Sequence, residues 1–360
     1  MALLTVAVRD FRNIAAVDLT FSPQLNLITG ANGAGKTSLL EALYFLGRGQ
    51  SFRTSHPATL IREGAEALLV RGTVSDPHGG TVAVGVQRDR QTLLVRMGGQ
   101  PLRQLTRLVT LLPFQILNPD SHLLLEGGPR HRRRFLDWGV FHVEPGFYPT
   151  WQRYTRALRQ RNAALRARLA VAEVRLWDDE LIQSAEVLDQ QRRAYLEALM
   201  PVLDRYVGQL VDLAGLAWDY RPGWARRQRF AEALEESLEG DRRQGFTRLG
   251  PHRADVMPTV DGIAAQERVS RGQQKQLVAA LMLAQAEVYR LRRGRPSIFL
   301  VDDLASELDP EHRQRVLAAL RALEVQVFVT AIEDTALEAA DWPAQRRFHV
   351  EHGQIREVVY

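Results

Sequence analysis

Eight residues, Gly30-Ala31-Asn32-Gly33-Ala34-Gly35-Lys36-Thr37, carry the plainest chemistry in the chain. Gly30 and Gly35 bracket four residues and lead into Lys-Thr, with Ser38 next. A short apolar run ("LNLIT") precedes them and an amphipathic helical pattern ("SLLEAL") follows. That layout is a phosphate-binding loop. Its successive backbone N–H groups cradle phosphates at a helix N-terminus, the lysine reaches the outer phosphates, and the threonine hydroxyl helps hold Mg²⁺. A chance glycine turn is the plain alternative, and composition weighs against it. Lys36 and Lys275 are the only lysines, arginine supplying the other 45 of the 47 basic residues. A nucleotide site asks for a compact ammonium, for which the planar guanidinium substitutes poorly.

The second half must supply the rest of such a site. "SIFLVDD" sets an apolar run, Ile298 to Val301, ahead of Asp302-Asp303. A carboxylate at the C-terminal end of a central strand, beside the loop, can hold Mg²⁺ through its water shell, which assigns Asp302 to the metal. Asp303 is then placed to orient or deprotonate an attacking water. The alternative is an N-cap pair at a strand-to-helix turn. Upstream, Ser270-Arg271-Gly272-Gln273 opens a long helical pattern, so a hydroxyl and free N–H groups face outward at a positive helix end. One chain already has one cradle, so a second anion-binding helix start makes sense for a nucleotide held by another copy. An ordinary serine N-cap is the alternative here.

The elements that position these residues follow from patterning. "LLTVAV" and "AVDLTF" are expected as strands flanking the turn "RDFRNIA". The runs "ALLVRGTV", "TVAVGVQ" and "QTLLVRM", separated by "SDPHGG" and "RDR", predict an antiparallel meander. From about 129 the character changes, and residues 151–215 hold long helical patterns. After about 265 helix and strand alternate again. The expectation is an α/β head, residues 1–128 and 265–360, split by an inserted, mainly helical lobe at 129–264.

Composition bounds the class. At 360 residues, 45% hydrophobic and 25% charged, the chain can bury a sizeable core in two or three domains. With no cysteine it has no disulfide framework and no thiolate metal site, and its nine histidines lack metal-ligand spacing. No apolar run approaches the ~18 residues of a membrane span, and the opening "MALLTVAVRDF" reads as a strand rather than a signal peptide. A cytoplasmic protein without membrane partners is expected. The net charge of +5 hints mildly at a polyanionic partner.

The phosphate loop, the SxGQ segment, the Asp-Asp strand end and "SELD" in this order resemble the ABC-type ATPase heads of the SMC proteins and their DNA-repair relatives. "NPDSHLLLEGGPRHRRRFLDWGVFHVEPGFY", from 118, and "VDDLASELDPEHRQRVL", from 301, resemble two signatures of the RecF family of recombination mediators, and "QRNAAL" and "GPHRADV" fit the same family. The resemblance runs nearly end to end.

It implies a P-loop ABC/SMC-type head with an antiparallel β subdomain, a helical second lobe and no long coiled coil. ATP would be bound by Gly30, Ala31, Asn32, Gly33, Ala34, Gly35, Lys36, Thr37 and Ser38, with Arg12 and Asn13 of "FRN" lining the pocket. Gln115 in "PFQI" would sense Mg²⁺ and nucleotide, sharing the metal with Thr37 and Asp302. Lys36 and Asp303 would act in hydrolysis. Ser270, Arg271, Gly272 and Gln273 would cap the γ-phosphate of a partner copy's ATP, and Asp309 would bridge the two copies. Asp303 stands where most such heads have Glu, and Thr330 where many have a switch histidine, so a slow ATPase working as a timed clamp is expected. The family also implies an ATP-dependent homodimer at DNA gaps and junctions, acting with RecO and RecR in recombinational repair, replication restart and the SOS response.

Charge placement bears on the partner. Residues 129–170 hold ten arginines against Asp137 and Glu144. A segment this dense in arginine suits phosphate backbones, single- or double-stranded and without base preference, and Arg130, Arg132, Arg133, Arg134, Arg153 and Arg156 are the candidate contacts. A solvated helix face is the alternative. A transporter's ATPase subunit would carry an LSGGQ signature where "VSRGQ" stands. An SMC-type structural protein would need far more heptad sequence than 151–215 offers, and nothing in a P-loop kinase requires a signature helix.

Overall fold

β1 (Leu3–Phe11) and β2 (Ile14–Thr20) pair antiparallel across a two-residue turn, Arg12-Asn13, with Phe11 opposite Ile14. Both strands thus run into what the sequence suggests is a longer turn. The computed structural model describes residues 1–75, 79–211, 213–304, 308–333 and 342–358. These divide into two units, residues 1–121 with 275–360, and residues 122–274.

In the first unit, β3 (Leu25–Thr29) feeds the glycine loop and α1 (Lys36–Arg48). The meander follows as β4 (Ala67–Ser75), β5 (Thr81–Asp89), β6 (Leu93–Met97) and β7 (Gln100–Pro101). It forms an antiparallel sheet in the order β2-β1-β4-β5-β6-β7. Of the turn between β4 and β5, residues 76–78 lie outside the described residues. α2 (Leu105–Leu111) and β8 (Phe114–Leu117) lead to the second unit.

That unit holds α3 (Leu123–Glu126), α4 (Pro129–Val143), α5 (Phe147–Arg166), α6 (Val171–Arg175) and α7 (Asp178–Leu210). β9 (Leu216–Arg221), α8 (Phe230–Gln244), β10 (Asp255–Val260), β11 (Ile263–Ala264) and α9 (Ala265–Arg268) complete it. α7 passes through Pro201, a residue type that ordinarily kinks or ends a helix. Its buried positions, among them Leu181, Leu188, Tyr195, Leu199, Leu203, Tyr206 and Leu210, recur at the three-to-four spacing of one helix face, and that packing outweighs the lost N–H. An antiparallel sheet, β11-β10-β9, stands in this lobe, which the sequence presents as helical.

α10 (Arg271–Arg293) carries the chain back, followed by β12 (Ile298–Val301), α11 (Pro310–Ala322), β13 (Gln326–Ala331), β14 (Gln345–Glu351) and β15 (Gln354–Val358). The second sheet of the first unit runs β15-β14-β3-β13-β12-β8, parallel throughout except for the β14–β15 hairpin.

α1 is buried at eleven of its thirteen positions. Leu39, Leu43 and Phe45 share one core with Val8, Val70 and Val86 of the antiparallel sheet and with Ile28, Leu300 and Phe328 of the mixed sheet. Each such side chain stabilises by about 1.5–3 kcal/mol. The helix behind the glycine loop is therefore fixed on both sides. In the mixed sheet Ala331 lies opposite Thr29, and Val301 opposite both Val329 and Leu117. The C-terminal ends of β3, β13, β12 and β8 thus share one edge, where open α/β sheets bind ligands.

Candidate nucleotide-binding site

The glycine loop is held open by backbone conformations that a side chain would not tolerate. A Cβ on Gly30 (φ +150°) would lie 2.2 Å from Val350 O, and one on Gly35 (φ +121°) 2.8 Å from Asn13 Nδ2. Asn13 Nδ2 donates to Ala34 O at 3.1 Å, tying the β1–β2 turn to the loop. Gly353 N donates to the same carbonyl at 2.8 Å.

Lys36 is buried, and its Nζ donates to Gly30 O at 2.7 Å and to Ala31 O at 3.0 Å. Burial pulls its pKa down, and the Asp303 and Asp302 charges oppose that shift. Thr37 Oγ1 lies 3.0 Å from each carboxylate oxygen of Asp302. Thr330 Oγ1 donates to Asp302 Oδ1 at 2.8 Å and accepts from Asp303 N at 2.8 Å. Thr330 therefore pins both aspartates, and Asp303 sits in the left-handed region at φ +55°. Burial pushes the Asp302 carboxyl up, while the Thr330 and Thr37 hydroxyls and the Arg53 charge favour its ionised form.

Around these groups opens a cavity of about 1010 Å³, large enough for a nucleotide. It is lined by Arg12, Asn13, Asn32, Gly33, Gly35, Lys36, Thr37, Ser38, Asp302, Asp303 and Thr330. All belong to the first unit. The donor set fits an oligophosphate with a divalent cation: one ammonium, loop N–H groups, and a hydroxyl–carboxylate pair. Among the described residues no cluster of three or more His, Asp or Glu side chains could hold a metal alone. Thr37 and Asp302 would share the cation with phosphate oxygens.

The remaining lining, Arg53, Thr59, Ile61, Arg62 and Glu63, comes from the segment between α1 and β4, which sequence reasoning passed over. Its anchor is Glu41. This carboxylate, fully buried in α1, takes a bidentate pair from Arg12 Nε and Nη2, both at 2.9 Å. It also accepts from the Ser51 hydroxyl, and Arg53 Nη1 stands 3.9 Å away. A lone carboxylate in the apolar run "SLLEALYFL" was the available signal, since a buried charge needs partners. Arg12, at φ +54°, donates a further bond from Nη1 to Thr59 O at 3.0 Å.

Gln115 is a correction. It lies within β8, nearly fully buried, and does not line the cavity. With its amide oriented as its neighbours require, its nitrogen donates to Met282 O at 2.8 Å and its oxygen accepts from Ala286 N at 3.3 Å, both in α10. Position 115 pairs with Phe299 inside the sheet, two residues short of the strand end where a metal-sensing group would stand.

Ser270 opens α10 with a reciprocal cap. Gln273 N donates to Ser270 Oγ at 3.3 Å, and Ser270 N donates to Gln273 Oε1 at 3.0 Å. Ser270, Arg271 and Gly272 are exposed. Asp309 caps α11, accepting from His312 N at 3.1 Å and pairing with His312 Nδ1 at 2.7 Å. Ser306 and Glu307 of "SELD" lie outside the described residues.

The six candidate DNA-contacting arginines separate into groups. Arg132 is buried and bidentate to Asp255 at 2.7 and 3.0 Å, with Nη1 on Gly127 O at 2.6 Å, and Arg133 Nη1 donates to Ala254 O at 2.7 Å. The Arg132 guanidinium serves the fold, which withdraws it from the expected phosphate surface, whereas Arg133 is half-buried. Arg153 pairs with Glu180 at 3.0 Å on the surface. Arg130, Arg134 and Arg156 are exposed.

The RecF/RecN/SMC N terminal domain family matches residues 2–355. The DNA replication and repair protein RecF of Pseudomonas fluorescens is 44% identical over 362 residues, covering 99% of this chain and 98% of that protein. RecF of Thioalkalivibrio sulfidiphilus is 42% identical over 357 residues, covering 99% of each. The chain belongs to the RecF family. A solved RecF structure with ATP superposes with a TM-score of 0.89 at 23% identity, covering 99% of this chain and 98% of that one. An Smc head bound to the C-terminal winged helix of ScpA superposes at 0.61 and 15%, covering 99% and 98%. Those two likenesses show that the chain has the RecF fold and that this fold resembles the SMC head. No helix among the described residues is long and apolar enough to cross a membrane.

Proposed function

We propose that this RecF-family chain is an ATP-switched DNA-binding protein of replication and recombinational repair, working in the cytoplasm as a slow ATPase. The observation that carries the reading is the Thr37–Asp302 contact beside Lys36 at the mouth of the phosphate loop. It brings a metal-holding pair and a phosphate-binding ammonium together from opposite ends of the sequence.

Mg²⁺ bound there would draw charge off the phosphates. Thr37 and Asp302 would hold it, Thr330 fixing the carboxylate's orientation. Lys36, kept from full hydration by burial, would offer its ammonium to the outer phosphates. Asp303, turned by its left-handed backbone and by Thr330, would orient the attacking water and take its proton. Ser270, Arg271 and Gly272 would meet the γ-phosphate held by a second copy, so that ATP joins two chains and hydrolysis releases them. The dimer would clamp DNA at gaps and junctions. RecO and RecR would be its partners there, supporting replication restart and SOS induction.

Binding to duplex, single-stranded and gapped DNA, each with ATP, ADP or no nucleotide, tests this. ATP-dependent binding that Lys36→Met abolishes is the expected result. Equal binding without nucleotide would contradict the switch.

A further inference from the structure

α5 carries five arginines and no carboxylate along twenty residues. Two of the five are committed. Arg161 is fully buried, with Nε on Asp178 at 2.8 Å and Nη1 on Asp241 and Thr247, each at 2.8 Å, while Arg153 pairs with Glu180. Arg156, Arg159 and Arg166 are exposed, and among the described residues no carboxylate lies within 4 Å of any of them. Their positions, with exposed Gln152 and Ala163, step by four, three, four and three residues. This is one stripe of the helix, opposite the buried row Thr150, Tyr154, Ala157, Arg161 and Ala164.

Exposed helix faces ordinarily mix both signs, because like charges three or four residues apart repel. Here the stripe holds three arginines, one glutamine and one alanine, with no carboxylate. From Arg156 to Arg166 it runs about 15 Å at 1.5 Å per residue, the axial rise of about four base pairs. Guanidinium groups favour phosphate oxygens, and Gln152 can hydrogen-bond to them without reading bases.

We infer that the outward stripe of α5, Arg156, Arg159 and Arg166, binds the phosphodiester backbone of duplex DNA. The inference rests on the DNA-binding function proposed above and locates it on α5 rather than on Arg132, which the fold consumes.

The test is the salt dependence of affinity for a random-sequence duplex, measured with ATP for the wild-type chain and for R156Q/R159Q/R166Q. Glutamine keeps helix propensity, and an unchanged melting transition shows that the variant is folded. Losing three phosphate contacts should flatten the slope of log K against log salt by about 2.7. A folded variant with the wild-type slope would overturn the stripe while leaving DNA binding itself in place. A wild-type chain with no salt-dependent affinity for DNA would overturn both. As a second arm, Arg156→Gln, Arg159→Gln and Arg166→Gln made singly should each flatten the slope by about 0.9; three unchanged single slopes contradict the proposal even if the triple variant misfolds.

Discussion

Thr37 Oγ1 rests 3.0 Å from both carboxylate oxygens of Asp302, although 265 positions separate the two residues in sequence. The contact joins the start of α1 to the end of β12, and it makes Asp302 and Asp303 separable by mutation. Asp302→Asn keeps the shape but loses the charge that holds a cation, so Mg²⁺-dependent ATP affinity should fall by about 10- to 100-fold. Asp303→Asn should leave that affinity in place and slow hydrolysis by about 100-fold or more. Equilibrium nucleotide binding with and without Mg²⁺, beside single-turnover hydrolysis, distinguishes them. Undiminished turnover in Asp303→Asn would move the water-activating role elsewhere.

Glu41 is predicted to matter for stability as well as for the pocket. Glu41→Ala leaves Arg12 without its bidentate partner beside a buried helix. Breaking a buried pair on one side costs about 3–5 kcal/mol, and Arg12 retains 23% side-chain exposure, so a loss near about 3 kcal/mol is expected. Chemical denaturation measures this directly. A loss under about 0.5 kcal/mol would show that Arg12 and Ser51 do not depend on the carboxylate.

Within the arginine-rich segment, two neighbours should behave oppositely. Arg132→Ala strands Asp255 and should destabilise by about 3 kcal/mol. Arg130→Ala, at an exposed site, should change stability by less than about 0.5 kcal/mol. Thermal melts of the two variants check the ordering; equal effects would contradict the division between arginines of the fold and arginines of the surface.

His252 gives the fold a pH dependence. Its Nδ1 accepts from the Tyr154 hydroxyl at 2.6 Å and its Nε2 donates to Thr247 O at 3.1 Å, a geometry that suits the neutral ring. Burial, first of all, pulls its pKa down to about 4. The unfolded chain, with a His pKa near ~6.5, therefore binds more protons between about pH 6.5 and 4. Stability should fall as pH drops through that window, by up to about 3 kcal/mol from this group. Denaturation at pH 7, 5.5 and 4.5 reads the loss, and His252→Leu should flatten it. An unchanged pH profile in that variant would assign the loss to other groups.

How much of this was legible follows from which forces act locally. The phosphate loop and the Asp302–Asp303 strand end were readable because each is a contiguous run whose residue types answer one chemical need, and the family resemblance follows from those runs. The meander was readable because its alternation is local. Gln115 was misplaced because a short apolar strand does not reveal where it ends, and its amide is satisfied by α10, which lies more than a hundred residues on. Arg132 and Arg161 fall in the arginine-dense segment that reads as a phosphate surface because their partners Asp255 and Asp241 come from other elements. Only the tertiary fold distinguishes a guanidinium that holds a core together from one that waits for a phosphate.

The account turns on ATP joining two chains through the cradle of one and the Ser270–Gly272 helix start of the other. Sedimentation with ATP, with ADP and without nucleotide tests it most directly. The expected result is a monomer that dimerises with ATP alone, persistently in Asp303→Asn, and that fails to dimerise in Ser270→Arg while each chain still binds ATP. A monomer at saturating ATP, or a Ser270→Arg chain that still pairs, would contradict it.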